Sequence, residues 1–189
     1  MNTSAHLLIG AAVFARPARG PVLAAALLGS LLPDLSLYLM AGISLHVLQI
    51  PPQVVFNELY YSPAWQTVFA IDNSFVLWGL VLALGIWRGW RLVTIGAGAG
   101  LLHLAMDFFL HAGDGRPQFW PFSSWVFHSP ISYWDTDHHA ALLIPLSVLL
   151  CVVAFVVLWR RGPTIGARLF FTALLLAEVW VARQWLLFF

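Results

Sequence analysis

The feature that most constrains this chain is the recurrence of long apolar stretches. Five of them, residues 21–42, 63–87, 92–112, 139–159 and 165–187, are as long as a bilayer-spanning helix requires, roughly 20 mostly apolar residues. Only 9% of the 189 residues are charged and 61% are hydrophobic, whereas a soluble domain carries about 25% charged residues. A chain so short of charge cannot cover a soluble globule with polar surface, so lipid must be its solvent. The expected fold is all-α: a polytopic membrane helix bundle of about five transmembrane helices, forming one integral membrane domain over residues 1–189. A shorter apolar segment, 4–15, precedes the Arg16-Pro17-Ala18-Arg19-Gly20-Pro21 break. At about 18 Å it is too short to span, and it reads as a half-helix, either re-entrant or packed inside the bundle. No charged leader with a small-residue cleavage site precedes it, so no removable signal peptide is expected.

Arginine placement predicts the orientation. All nine basic residues are arginine, which we read as genomic composition bias. Arg16, Arg19, Arg88, Arg91, Arg160, Arg161 and Arg168 fall in the three short connections, and only Arg116 and Arg183 fall on the other side. By the positive-inside rule the short loops are cytoplasmic. The long loops, 43–62 and 113–138, then face outward, which is the periplasm if the chain sits in the inner membrane of a two-membrane bacterium. A net charge of +1 gives no reason to expect nucleic acid. The single Cys151 allows no disulfide framework.

Ionisable residues inside spans are costly and mark functional sites. Counted from the flanking arginines at 1.5 Å per residue, Asp34 lies about 20 Å up, His103 about 17 Å, Asp107 about 23 Å and Asp72 about 24 Å. Glu178 and His6 both lie about 15 Å up. Five segments therefore place a titratable group in one layer, in the outer half of the membrane. His103, Asp107 and His111 follow i, i+4, i+8 on one helix face, so an imidazole and a carboxylate can converge on one metal. A hydrogen-bonded His–Asp pair is the alternative, and His111, at the exit, is the weaker candidate. Trp134-Asp135-Thr136-Asp137-His138-His139 forms a second cluster, in which either histidine could bind metal while an acid caps the next helix. Asp34 follows Pro33, which is expected to break the helical ladder and turn the carboxylate inward. His128 and His46 carry less signal. Arg116 could clamp a phosphate, and the aromatics around it fit an interfacial belt. No GxSxG elbow, P-loop or CxxC is present.

A histidine near the N-terminus, Leu31-Leu32-Pro33-Asp34 closing an apolar run, His103-x-x-x-Asp107, and Trp120-Pro121-Phe122-Ser123 together resemble the YdjM-type (LexA-regulated) membrane-bound metal-dependent hydrolases, small bacterial inner-membrane proteins. The resemblance covers most of the chain through short motifs. It implies a hydrolase and carries over His6, Asp34, His103 and Asp107. Two positions depart from the family pattern. Ser36 stands where Pro-Asp-x-Asp has its second acid, and Asp72-Asn73-Ser74 stands where a Thr-His-Ser is usual. Either Asp72 substitutes as an oxygen ligand or the metal set differs.

The expected function is therefore a metal-dependent hydrolase at the outer interface, acting on a phosphoester or lipid-linked substrate, with membrane lipids as partners. The metal ligands are expected among His6, Asp34, His103, Asp107, His138 and His139. Mixed nitrogen and oxygen donors suit zinc, with manganese or iron as alternatives. Asp72, Asp135 or Glu178 is expected to take the catalytic proton, and Arg116 to hold substrate phosphate. Two other classes stay open: a small transporter or ion pathway, and a non-enzymatic scaffold whose metal staples helices.

Overall fold

A computed structural model describes residues 1–188 as an all-helical bundle. The elements are α1 (Thr3–Phe14), α2 (Gly20–Gly42), the short α3 (Pro52–Val54), α4 (Pro63–Asp72), α5 (Phe75–Trp87), α6 (Arg91–Leu110), α7 (Ala140–Arg160) and α8 (Ile165–Phe188). Among the described residues five segments are long and apolar enough to cross a membrane: Gly20–Val47, Pro63–Trp87, Arg91–Leu110, Ala140–Arg160 and Ile165–Leu187. This is the architecture of a multi-pass membrane protein.

The half-helix α1 forms the centre of the bundle. It packs against α2, α6, α7 and α8, and Ala5, His6, Leu7, Leu8, Gly10 and Ala11 are buried around it. Its arginine-rich end is tied down: Arg161 Nη1 donates to the Ala15 carbonyl at 3.0 Å, a cation on the last, unpaired carbonyls of a helix. Its other end carries Thr3, Ser4 and His6 into the polar layer. Glu178 fixes that end sideways. The carboxylate of Glu178, 1% exposed, accepts from Ser4 Oγ at 2.6 Å, Asn2 Nδ2 at 3.2 Å and Ser147 Oγ at 2.9 Å, linking α1 to α7 and α8.

Two local expectations are revised. Pro33 does not end its helix, because α2 runs through it to Gly42. Lacking an N–H, Pro33 leaves the Gly29 carbonyl without its helical donor, but the flanking turns hold the helix together. The stretch 63–87, read as one continuous span, is broken at Asn73 into α4 and α5. Ser74 caps α5 by accepting from the Leu77 N–H at 3.1 Å, and Asn73 Nδ2 donates to the carbonyls of Phe69 (3.0 Å) and Pro33 (3.4 Å). The groups exposed by the break are met by the 113–138 loop. Phe75 N–H donates to Gln118 O at 2.8 Å, and Ser74 Oγ donates to Trp120 O at 2.5 Å. The same loop folds back over the end of α6, where Ser129 Oγ donates to Phe109 O and the Tyr133 and Ser129 N–H groups donate to Leu110 and His111 carbonyls. Irregular backbone at such depth is tolerated where protein satisfies it.

Candidate metal centre

Three helices build the site, and small residues let them approach. One turn along α1 from His6, Gly10 packs on Ser30 so closely that a Cβ there would overlap the Ser30 hydroxyl. Next to Ser30 on α2, Gly29 lies against the Gly96 carbonyl of α6, and a Cβ would collide with backbone. Glycine contacts of this kind bring membrane helices to backbone distance. Side chains one turn above them, from α1, α2 and α6, then have to meet.

They meet around Asp107. The His6 and His103 rings stack with centroids 3.6 Å apart and planes 13° apart. His6 Nε2 lies 2.9 Å from Asp107 Oδ1, and His103 Nε2 lies 3.2 Å from Asp107 Oδ2 and 3.5 Å from Asp34 Oδ1. The donor atoms of His6, His103 and Asp107 all fall within 4.8 Å of one another. His103 Nδ1 sits 2.7 Å from the Ser30 carbonyl, which can only accept, so Nδ1 carries the hydrogen and Nε2 points at the carboxylates. Both nitrogens of His6, and His103 Nε2, are buried without an aligned hydrogen-bond partner, although carboxylate oxygens lie near. Two face-to-face imidazolium ions would repel each other. A single cation shared by the imidazoles and Asp107 takes one nitrogen of each ring, His103 Nε2 among them, so the residues present fit a divalent metal. The surroundings hold the acids in place: Thr3 Oγ donates to Asp34 Oδ2 and contacts Tyr38 Oη at 2.8 Å, and the Met1 amino group donates to Asp107 Oδ1.

Asp107 opens the cluster onto a cavity of about 420 Å³, while His6 and His103 lie buried behind it. Asp34, Asp107, His111 and Asp114 line its inner wall, and Arg116 and Tyr60 line another. Arg116 donates to Tyr60 Oη at 2.5 Å and Gln66 Oε1 at 3.4 Å, with its guanidinium 4.4 Å above the Phe69 ring. His111 Nδ1 lies 2.9 Å from Asp114 Oδ2. Burial pulls the His111 pKa down, but the hydrogen bonds to Asp107 and Asp114 outweigh it and the net shift is upward. For Asp114 burial pushes up, and the hydrogen bond with His111 leads the opposing effects that leave it lowered. Burial, with the Asp107 charge next, raises Tyr133 well above its usual range.

The remaining sequence candidates stand elsewhere. Asp135 accepts from His138 Nδ1 at 2.8 Å and from the Asp137 N–H at 3.0 Å, a local turn whose His138 side chain is 43% exposed. His139 is exposed and takes a left-handed φ of 66° as the residue before α7. Neither histidine lines the cavity, nor do Asp135, Asp72 or Glu178, among the described residues. Asp72 lies at the break in the helix, with its carbonyl accepting from Trp78 Nε1 at 2.7 Å. His128 sits 3.3 Å from the Ala112 carbonyl, and His46 lies on the π-helical turn that extends α2. Sequence reading missed Asp114, whose i, i+3 relation to His111 continues the His103–Asp107–His111 face. It also missed Thr3 and Tyr133, which carry no spacing signal. Comparison with protein-family models, curated proteins and solved structures finds no match to this chain.

Proposed function

We propose that this protein is a metal-dependent hydrolase of a bacterial inner membrane, similar in its motifs to the YdjM-type hydrolases, and that it cleaves a phosphoester of a lipid or lipid-linked substrate at the non-cytoplasmic interface. The observation that carries this reading is the convergence of His6, His103 and Asp107, with Asp107 lining a cavity that also holds Arg116. Zinc is the first candidate for a nitrogen-and-carboxylate donor set. A divalent ion held there supplies Lewis acidity, lowering the pKa of water and polarising a phosphoryl oxygen.

The chain's own groups divide the remaining work. Arg116, held by Tyr60 and Gln66, offers a planar, permanently charged fork to phosphate oxygens. Asp114 lines the cavity and is available to take the proton of an attacking water. This role passes to it from Asp72, Asp135 and Glu178, none of which lines it. Tyr38, Leu37, Ala177 and Val181 form the wall contributed by α2 and α8, an apolar flank suited to an acyl or isoprenyl chain. The test is a panel of phospholipids and lipid-linked phosphates given to purified, metal-loaded protein and to His103→Ala. Release of phosphate or head group that requires His103 is the expected result. Stoichiometric metal with no turnover on any substrate would make the ion a staple joining α1, α2 and α6, and flux in liposomes would make the cavity a transport path.

A further inference from the structure

The inner trio does not exhaust the donors around Asp107. His103 faces Asp107 Oδ2, and Oδ1 faces His6 and, at 3.5 Å, His111 Nε2. The surroundings of these histidines differ. His6 and His103 are fully buried and do not line the cavity, whereas Asp34, Asp107, His111 and Asp114 do. His111 has the carboxylate neighbour that a ligand histidine commonly has. Its Nδ1 lies 2.9 Å from Asp114 Oδ2, close but not aligned as a hydrogen bond, and Asp114 is itself fixed by Trp134 Nε1 at 3.0 Å. Metal-binding histidines characteristically give their second nitrogen to a carboxylate or a carbonyl, which fixes the tautomer and aims the other nitrogen at the ion. His103 shows the carbonyl form of this arrangement with Ser30, and the His111–Asp114 pair stands within a small rotation of the carboxylate form. A carboxylate offers about four lone-pair directions across two oxygens, enough to serve two cations.

We infer that the site takes two divalent cations bridged by Asp107: an inner one held by His6, His103 and Asp34, and an outer one held by His111 at the cavity wall. This rests on the hydrolase reading and deepens it. The inner set has four protein donors and two of them, His6 and His103, lie outside the cavity, so with two ions bound the Lewis acidity would pass to the outer one while the inner one fixes Asp107. The outer set has two and leaves positions open to water and substrate, as catalytic sites do. The Met1 amino group lies on the same Asp107 oxygen, and the outer cation would take its place there.

The experiment is metal analysis of the intact, detergent-solubilised protein titrated with zinc, paired with electron paramagnetic resonance of the manganese-loaded form. Two ions per chain are expected in the wild type, one of them removed first by a mild chelator, with the manganese spectrum of an exchange-coupled pair. His111→Ala should hold one ion and give the spectrum of an isolated ion. Asp114→Asn, which leaves the imidazole in place, should weaken only the second ion, by about 10- to 100-fold. One ion per chain in the wild type, unchanged in His111→Ala and Asp114→Asn, would overturn the two-ion inference and leave the hydrolase reading standing. No bound ion in the wild type would overturn both.

Discussion

Two stretches of this chain are equally rich in histidine and aspartate, and the fold treats them in opposite ways. The 103–114 stretch spreads His103, Asp107, His111 and Asp114 over one helix face and the turn after it, and they meet partners from α1 and α2. The 135–139 stretch packs Asp135, Asp137, His138 and His139 into five neighbouring positions, and they bond mainly to one another at the exposed mouth of α7. Density along a sequence brings groups together only when the backbone turns tightly, and tight turns consume carboxylates as caps. Spacing at helical period aims groups the same way, and close-packed neighbouring helices then supply the rest of a site.

That contrast can be broken or sharpened by substitution. The largest effect is expected at the hub: Asp107→Asn keeps the shape of the side chain but removes the charge that three imidazoles face, so hydrolysis should fall to background in a turnover assay. Next comes Gly29→Leu, which touches no ligand. Its side chain must displace the Gly96 carbonyl, and a ligand displaced by about 1 Å costs on the order of 10²-fold in rate. Overpacking of this kind also costs about 1–3 kcal/mol, visible as a lower melting temperature in detergent. Arg116→Ala should reduce kcat/KM on a phosphoester by about 10- to 100-fold, the worth of a charged hydrogen bond of about 1.5–3 kcal/mol, without altering metal content. Glu178 gives a smaller, graded effect. Glu178→Gln keeps one acceptor oxygen for Ser147 and Asn2 and gives Ser4 Oγ an amide N–H to accept from, so it should stay near wild type. Glu178→Ala leaves buried hydroxyls unpaired at about 1–3 kcal/mol and loosens α1, so metal affinity should fall with stability. The smallest effect is expected at His138→Ala, with turnover within about twofold of wild type, as surface substitutions away from a site usually behave.

Much of the architecture was legible because lipid leaves few options. Span length and the scarcity of internal charge marked the five crossing segments, and the shortness of α1 marked it as a helix that cannot cross. The shared depth of His6, Asp34, His103 and Asp107 followed from counting 1.5 Å per residue, and these four do lie together. Depth, however, says nothing about rotation around a helix axis. Glu178 shares the layer, yet it turns toward Ser4 and Ser147 rather than toward the cavity. The break at Asn73 was hidden because its hydrogen bonds are completed by Gln118 and Trp120, more than forty positions away in sequence. Asp114 was missed for a nearer reason: it lies just past the end of α6, where helical spacing no longer guides the eye, although its pairing with His111 needs only one more turn.

The central claim is that metal belongs to the α1–α2–α6 cluster and not to the 135–139 turn. It is tested most directly by metal content in three proteins purified side by side: wild type, His103→Ala, and the double variant His138→Ala/His139→Ala. The account predicts that the double variant retains the wild-type metal content and that His103→Ala loses the inner ion while still eluting as a folded species. Full metal in His103→Ala, with loss in the double variant, would contradict it.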